Sequence, residues 1–347
     1  MSLQEVEHVD VYHEEGNFAG WPANHGIWSW GDEVVVGFLQ GTLEPKDVPG
    51  HKIAYNLPSY CVQSRSLDGG RTWSFEKPPE IASPFTEEAA VFEGGLDFTD
   101  PELAIRMVPN GSHAGATTRF YFSTDRCHSW NGPYLVPDMG LTGVTARTEM
   151  MVLNQDEALL FFSCPKSDGY EGRACCALIR GGGASFEFLS YIGEEPPGFT
   201  IMPAAHMRED GSIVVILREE DRFDNPNLRR RLSQYVSHDR GKTWTYDLMI
   251  DEAPALNPPA LKQMKDGRLC VVYGYRVEPY GMRCCISEDE GRSWGEPIIL
   301  RSDGGCDDLG YPRMVVLPDG DLLTAYYYNT DAKRERFIAA TRFSVAR

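Results

Sequence analysis

Apolar residues occur in short runs along the chain, and turn-forming residues separate one run from the next. The clearest example runs from Met314 to Leu317, continues through Pro318-Asp319-Gly320, and resumes from Leu322 to Tyr328. An Asp-Gly pair between two apolar runs predicts two antiparallel strands joined by a tight turn. The pattern recurs around Asp210-Gly211 and around Asp266-Gly267. It predicts an all-β protein built largely from hairpins.

A longer pattern, Ser-x-Asp-x-Gly-x-Thr/Ser-Trp, also recurs. Its copies are Ser66–Trp73, Ser123–Trp130 (which lacks only the glycine), Ser237–Trp244 and Ser287–Trp294. A degenerate fifth copy ends at Phe186. The Ser and Asp side chains can satisfy backbone donors of a tight turn, the glycine supplies a positive φ, and the Trp anchors the next strand. We therefore assign the motif a structural role, as a brace for a hairpin.

The aromatic residues that close these motifs recur at intervals of 50 to 58 residues. An interval of this size indicates repeated supersecondary units, and propeller blades are among the candidates. Six units of about 58 residues would use the whole chain of 347 residues.

With four such motifs in register, the sequence resembles the sialidase-like, Asp-box (BNR-repeat) six-bladed β-propellers. The resemblance extends over nearly the whole chain. It implies an all-β fold, with residues 1–347 forming a single domain of six four-stranded antiparallel blades. The last blade has no Asp box, and we expect it to combine C-terminal strands with one strand from residues 1–20, which leaves no open sheet edge. The fold by itself does not fix the function.

Composition and charge limit the partners. The net charge of −18 disfavours nucleic acid and anionic membrane surfaces, although a local arginine cluster can still bind an anionic sugar. The nine cysteines include the adjacent pairs Cys175-Cys176 and Cys284-Cys285, which do not suit a disulfide framework, and we expect reduced thiols. Because no Cys-x-x-Cys spacing occurs and the His and Asp residues are scattered, we predict no metal site and no cofactor.

The N-terminal residues indicate where the protein is expected to work. Residues 1–5 show no basic region followed by an apolar run, so no signal peptide is predicted. We expect a cytoplasmic protein if this N-terminus is native, and a secreted or periplasmic one if a signal peptide was trimmed. No apolar stretch approaches the length of a transmembrane helix, so membrane insertion is not expected.

Alternating strand directions predict where a binding site would lie. The Asp-Gly turns and the Asp boxes should share one face, and the longer, function-bearing loops should lie on the other. Residues on that second face are expected to converge around a central funnel. The residues at the start of the first strand of a blade are Trp21, Asn24, His25, Asp100, Glu102, Arg147, Glu149, His206, Asn257, Tyr311 and Arg313. The residues at the end of the second strand of a blade are Lys166, Arg218, Glu219, Arg276, Glu278 and Asn329.

The resemblance implies roles for some of these residues. Sialidase-like enzymes use three arginines for the sugar carboxylate, a tyrosine nucleophile assisted by a glutamate, and an aspartate as acid/base. Tyr311 occupies the position of the nucleophilic tyrosine, at the start of the first strand of the last blade. Gly20 replaces the first family arginine, and Tyr60 to Arg65, before the first Asp box, contains no carboxylate. These departures argue for a relative with a reworked site.

The sequence therefore predicts a glycoside hydrolase that binds an acidic or other sugar. Tyr311 would act with Glu149 or Asp100, and the remaining candidates would hold the substrate. These binding residues are Arg147, Arg218, Arg276, Arg313, His25 and His206. Arginines aimed at one point suit a carboxylate, sulfate or phosphate.

Other interpretations stay open. The chain could be a non-catalytic propeller that binds a glycan or a protein, or it could be a sugar lyase. Arg147 and Glu149 could pair with neighbouring blades, and His25 and His206 could be structural. In the run Tyr326-Tyr327-Tyr328, alternation assigns Tyr327 to packing between blades.

Overall fold

The structure, a computed structural model, describes residues 2–46, 50–81, 88–220 and 229–346. The regular secondary structure of these residues is almost entirely β-strand, with one short helix, α1 (Pro22–His25), and one 3-10 turn (Pro79–Ile81). The strands are β1 (Leu3–Tyr12), β2 (Asn17–Gly20), β3 (Ile27–Trp30), β4 (Glu33–Thr42), β5 (Tyr60–Ser66), β6 (Ser74–Glu76), β7 (Ala104–Asn110), β8 (Thr117–Ser123), β9 (Asn131–Val136), β10 (Thr145–Val152), β11 (Ala158–Pro165), β12 (Glu171–Arg180), β13 (Ser185–Tyr191), β14 (Phe199–Met207), β15 (Ile213–Glu220), β16 (Arg230–Ser237), β17 (Thr245–Ala253), β18 (Leu256–Gln263), β19 (Leu269–Tyr275), β20 (Gly281–Ser287), β21 (Ile298–Arg301), β22 (Gly310–Val316), β23 (Leu322–Tyr328) and β24 (Phe337–Val345). No helix of the described chain has the length and apolar character needed to cross a bilayer.

The strands form six antiparallel sheets in two compact units. Unit 1 (Met1–Ser83 and Ala255–Arg347) contains β2-β4-β5-β6 with β3 also on β4, β18-β19-β20-β21, and β22-β23-β24-β1. Unit 2 (Pro84–Pro254) contains β7-β8-β9, β10-β11-β12-β13 and β14-β15-β16-β17. The predicted fold class is confirmed: the fold is all-β, a six-bladed β-propeller of four-stranded antiparallel blades. In the described residues, the β7-β8-β9 blade has three strands.

The last blade combines both ends of the sequence, as predicted. β1 pairs antiparallel with β24, from Leu3 opposite Val345 to Tyr12 opposite Ile338. The N-terminal strand therefore lies along what would otherwise be the open edge of the sheet, which satisfies the backbone groups of β24.

Period-two alternation builds the core between adjacent blades. Every residue of β11 is buried, and its side chains divide between two clusters. Leu159 and Phe161 pack with Val215 and other residues of the next blade, whereas Leu160 and Phe162 pack on the opposite face. A strand covered on both faces has no polar side, so β11 begins with a continuous apolar run from Ala158 to Phe162.

The Asp boxes brace the turns as the sequence predicts. In the first box, Ser66 Oγ accepts a hydrogen bond from the Gly70 amide at 2.8 Å and donates one to Asp68 at 2.8 Å. Asp68 also accepts bonds from the amide of Thr72 at 2.9 Å and from its hydroxyl at 2.6 Å. The boxes around Asp125, Asp239 and Asp289 repeat this network.

Strand register confirms that the turns and boxes share one end of a blade. In the β14 blade, Met207 at the end of the first strand pairs with Ile213, and Ile213 pairs with Ser237, which begins an Asp box. At the opposite end, Phe199 pairs with Glu220, and Glu220 pairs with Arg230. We call the first end the box end and the second the open end.

First strands are irregular near the open end. The register with the second strand shifts after Ala146 in β10, after Ile201 in β14, after Leu256 in β18 and after Gly310 in β22. In the first blade, α1 interrupts the first strand between β2 and β3, and both strands pair with β4. Bulges of this kind redirect side chains and are frequent beside functional sites.

Candidate functional site

Tyr311 lies in the bulge at the open end of β22, within unit 1. Its backbone has φ of +53°, a left-handed conformation that is costly for a non-glycine residue. The tyrosine is half-buried. Its ring lies 5.9 Å from that of His51 and 5.9 Å from that of Tyr327, measured between centroids, and both pairs meet edge to face.

Arg276 follows directly after β19 and reaches the same cluster. Its Nε and Nη2 donate to the carbonyl oxygen of Leu309 at 3.1 and 3.0 Å, and Nη2 also donates to the hydroxyl of Tyr327 at 2.6 Å. The guanidinium carbon lies 5.7 Å from the centre of the Tyr311 ring. Burial lowers the pKa of Arg276, but the tyrosines and the carboxylates of Asp308 and Asp307 outweigh it and raise that pKa above its usual value.

Asp308 is the anion at the centre of this cluster, and it is 3% exposed. Its Oδ1 accepts from His51 Nδ1 at 2.7 Å and from the Tyr327 hydroxyl at 2.8 Å. Its Oδ2 accepts from the Lys52 amide at 2.9 Å and from Arg336 Nε at 2.9 Å. Burial raises the pKa of Asp308, but the hydrogen bond from His51 and the charge of Arg336 hold it well below its usual range. Asp308 is therefore a permanent carboxylate.

Aromatic side chains surround this polar network. The ring of Trp21 contacts His51 edge to face at 5.0 Å, and Tyr55 is 73% exposed. The pKa of Tyr55 is raised by partial burial first and then by Asp308 and Tyr311. Trp21 has φ of +60°. Aromatic surfaces with a few fixed polar groups are characteristic of small-ligand sites.

The structure places two further predicted residues near Tyr311 in unit 1. Arg313, two residues further along β22, donates from Nε and Nη2 to the carbonyl oxygen of Ala23 at 3.1 and 2.7 Å. His25 is the last residue of α1, the helix that contains Ala23, and is 3% exposed. The carbonyl contact gives Arg313 a role in fixing α1 beside β22.

In unit 2, Arg147 lies in the bulge of β10 and is already paired. Its Nη1 lies 2.6 Å from a carboxylate oxygen of Glu171 and 3.0 Å from the hydroxyl of Ser163. Ser163 donates to the same Glu171 oxygen at 2.6 Å. Glu171, at the start of β12, is therefore the partner that orients Arg147.

Glu149 and Arg218 also lie near the open ends of strands in unit 2. Glu149 accepts a hydrogen bond from the amide of Ala205 in the adjacent blade at 3.1 Å. Arg218 pairs in register with Ile201, and its guanidinium lies 5.1 Å from the centre of the Phe199 ring. The sequence rule for open ends therefore locates Arg147, Glu149 and Arg218 correctly.

Two predicted site residues lie at the wrong end of a blade. The Asp box at Ser123–Trp130 joins β8 to β9, so β7 corresponds to a second strand and not to a first one. Asp100, which precedes β7, consequently lies at the box end, where it accepts a bond from the Glu102 amide at 2.9 Å. Glu102 in turn binds Arg126 of that box at 2.5 Å.

His206 is the second displaced residue. It pairs with Val214, one position from the turn that ends β14, whereas Arg218 pairs with Ile201 near the start of that strand. At roughly 3.4 Å per residue, the four positions of β15 from Val214 to Arg218 separate these two levels by about 14 Å. His206 and Asp100 are therefore corrected to box-end positions and leave the proposed site.

Sequence reasoning missed the residues that hold the unit 1 cluster together. Asp308 lies two residues before β22, so a search extended slightly upstream of Tyr311 would have found it. His51 lies in an irregular segment without a motif. The predicted alternation is confirmed, since Tyr326 and Tyr328 pack in one apolar cluster while the buried Tyr327 faces the other way, against Phe18 of the first blade. The hydrogen bonds of its hydroxyl with Arg276 and Asp308 were not predicted.

Residues 107–324 match the model of the family described as BNR repeat-like domain. The match covers more than half of the chain, which therefore belongs to this family. No curated protein sequence matches the chain.

Solved structures share the fold. A protein of unknown function from Dyadobacter fermentans has a TM-score of 0.78 and 21% identity, over 99% of this chain and 100% of that one. An α-L-arabinanase from Penicillium chrysogenum, complexed with arabinobiose, has a TM-score of 0.65 and 12% identity, over 96% and 97%. A Trypanosoma rangeli sialidase in complex with sialic acid has a TM-score of 0.62 and 12% identity, over 98% of this chain and 59% of that one.

Proposed function

We propose that this protein is a glycoside hydrolase whose substrate binds at Tyr311 in unit 1. The supporting observation is the left-handed bulge, which holds the tyrosine ring among Arg276, His51 and Tyr327. Backbone strain at a non-glycine residue is found most often at functional sites. In glycoside hydrolysis, a tyrosine nucleophile can replace one of the two usual carboxyl groups.

The similar structures support a sugar as the substrate class. The arabinanase and the sialidase share this fold, and their titles describe complexes with arabinobiose and with sialic acid. At 12% identity the likeness concerns the fold alone, so the choice of a sugar for this chain rests on the aromatic side chains of the cluster as well.

The charges of the cluster favour an acidic sugar. The buried network contains two guanidinium groups, from Arg276 and Arg336, and one carboxylate, from Asp308, which leaves a single net positive charge. Arg336 uses all three of its nitrogens on Asp308, Cys306 and the Arg334 carbonyl. Within the described parts of the chain, Arg276 makes no such bond through Nη1, and we assign this nitrogen to the carboxylate of the sugar.

The open-end residues of unit 2 stay in the proposal as a separate set. We propose that Arg147 and Arg218 form an anion-binding set within unit 2, and that Glu149 is the catalytic carboxylate of that set. Replacing Glu149 by Gln keeps its shape and removes its charge. If Glu149 takes part in catalysis, kcat falls while the free energy of unfolding changes little, because the Ala205 amide can still donate to the remaining carbonyl oxygen.

The test is turnover of a panel of 4-methylumbelliferyl glycosides that includes sialosides, uronides and arabinosides. We expect the wild type to cleave at least one acidic glycoside, and Tyr311→Phe to abolish that activity. Tyr246→Phe is the matched control, because Tyr246 is a 53% exposed tyrosine on another blade. Full activity of Tyr311→Phe, with both variants folded by circular dichroism, would remove the proposed role of Tyr311.

A non-catalytic binding function is the second candidate. It is favoured by the acids that the structure commits to internal bonds: Asp308 accepts four hydrogen bonds, and Glu171 neutralises Arg147. Binding of an acidic sugar without turnover of any substrate on the panel would support this candidate. Ultraviolet absorbance from an unsaturated product would instead indicate a lyase.

A further inference from the structure

His51 is held by an acid that cannot itself exchange protons. The Nδ1 atom of His51 lies 2.7 Å from Asp308 Oδ1, and Asp308 is fixed in turn by Arg336 and by the Lys52 amide. A carboxylate with so many donors stays ionised and acts as an acceptor for Nδ1–H. This contact selects the histidine tautomer whose Nε2 carries the lone pair.

The other edge of the imidazole faces the candidate site. The His51 side chain is 25% exposed, although its partner Asp308 is buried. Trp21 and Tyr311 lie against the ring, with centroids 5.0 and 5.9 Å away. Among the residues that the structure describes, Nε2 makes no hydrogen bond, so this nitrogen is available to a ligand.

We propose that His51 is the proton-transfer residue of the site and that Asp308 is its positioning residue. The proposal rests on the proposed hydrolase function and adds a group that neither the sequence motifs nor the family resemblance supplies. Asp308 binds His51, and the rings of His51 and Tyr311 meet edge to face. An acid, an imidazole and a hydroxyl nucleophile that act in this order are a known solution to nucleophilic catalysis, whichever fold supplies them.

His51 and Tyr311 can account for every proton that moves in the reaction. His51 Nε2 accepts the phenolic proton as the Tyr311 oxygen forms a bond to the anomeric carbon. The bond between that carbon and the leaving oxygen breaks, both electrons stay with the leaving oxygen, and His51 returns the proton to it. Water then releases the sugar by the same steps in reverse, with the proton passing through His51 back to Tyr311.

Several charged and titratable groups surround the cluster that His51 forms with Asp308, Tyr311 and Tyr327. They come from the segment of His51, from the segment before β22, and from β22, β23 and the residues that flank β19 and β24. Together with these members of the cluster, the groups are Lys52, Tyr55, Asp307, Asp308, Tyr311, Tyr327, Arg276 and Arg336.

The first experiment needs no substrate. Nitrogen-15 NMR of the ligand-free protein reports which imidazole nitrogen of His51 carries hydrogen, with assignment by comparison to His51→Gln. We expect hydrogen on Nδ1 in the neutral form, and a change of that tautomer balance in Asp308→Asn. Hydrogen on Nε2 in the wild type would overturn the inference, whatever the activity.

The second experiment uses aryl glycosides that differ in the acidity of the leaving phenol. His51→Gln should lower kcat/KM by about 100-fold or more for poorly acidic phenols, and by much less for nitrophenols, which leave without a proton. Asp308→Asn should show the same dependence on the leaving group together with an altered pH profile. The control is His238→Gln, since His238 is an exposed residue of an Asp box.

The outcomes separate the two proposals. A wild type that cleaves no glycoside of the panel removes the proposed function and the catalytic role of His51 with it. If the wild type is active and His51→Gln lowers kcat/KM equally for all leaving groups, only the proton-transfer role of His51 is overturned. The proposed glycosidase function then stands.

Discussion

Arg276 donates a hydrogen bond from Nη2 to the hydroxyl of Tyr327 at 2.6 Å, and Tyr327 has no exposed surface. The same hydroxyl donates a hydrogen bond to Asp308 at 2.8 Å, so Tyr327 links Arg276 to Asp308. Burial raises the pKa of Tyr327 well above its usual value; the charge of Arg276 opposes this shift, and Asp308 adds to it. The phenol therefore stays protonated and keeps both bonds.

Tyr327→Phe should destabilise unit 1 by about 1 to 3 kcal/mol, because it removes the acceptor of Arg276 and a donor to Asp308 while both charges stay in place. The measurement is the free energy of unfolding in urea. Tyr328→Phe is the matched control: Tyr328 is equally buried, but its hydroxyl bonds to Asp303, whose side chain is 61% exposed and can be solvated. Equal losses in the two variants would contradict this prediction.

Arg276→Gln should weaken binding of an acidic sugar by about 10-fold or more, since a charge-assisted, forked contact is lost. Affinity for the neutral analogue of the same sugar should change less. Isothermal titration with a uronic acid and its reduced alcohol separates the two effects. As a control, Arg301→Gln removes an arginine of the same unit that pairs with Asp303, and it should leave both affinities unchanged.

The Asp boxes should make stability depend on pH in the acid range. Burial raises the pKa of Asp68, but bonds from Thr72 and Ser66 lower it to about 2; Asp125 and Asp239 behave alike. A carboxyl with a lower pKa in the folded state adds stability above its unfolded value near 3.8, and this contribution fades as the pH falls towards 2.

Asp68→Asn should therefore lower the free energy of unfolding by about 1 kcal/mol above pH 4, and this loss relative to wild type should shrink as the pH approaches 2. Urea unfolding at a series of pH values measures this difference. A gap between wild type and variant that stays constant from pH 6 to pH 2 would show that the carboxyl does not titrate as described.

The box glycine should be more sensitive than another glycine of similar conformation. Gly70 has φ of +86°, and a Cβ there would lie 2.6 Å from Leu323, whereas Gly31, with φ of +66°, has open space. Gly31→Ala should cost about 1 to 2 kcal/mol for left-handed strain alone, and Gly70→Ala should cost more. Thermal unfolding of the two variants compares them directly, and equal shifts would exclude the packing contribution.

The repeated box, the Asp-Gly turns and the apolar runs allowed the architecture to be predicted. These are local signals: a turn needs particular residues within a few positions, and a strand covered on both faces needs an apolar run such as the one that begins β11. The strand from residues 1–20 in the last blade was predicted differently, from the missing Asp box of that blade and the need to leave no open sheet edge. Asp100 was misplaced because β7 was taken for a first strand, although the box at Asp125 follows the next strand in sequence.

The sequence by itself determined the fold class, the box network and the open-end positions of Tyr311, Arg276, Arg147, Glu149 and Arg218. Only the tertiary structure decided that His51, Asp308 and Tyr327 form one hydrogen-bonded cluster, since 257 positions separate His51 from Asp308. The physical reason is the distance along the chain over which each kind of interaction is determined. Turn and strand signals act between neighbours in the chain, whereas a charge network depends on which distant side chains the packed blades bring within 3 Å of each other.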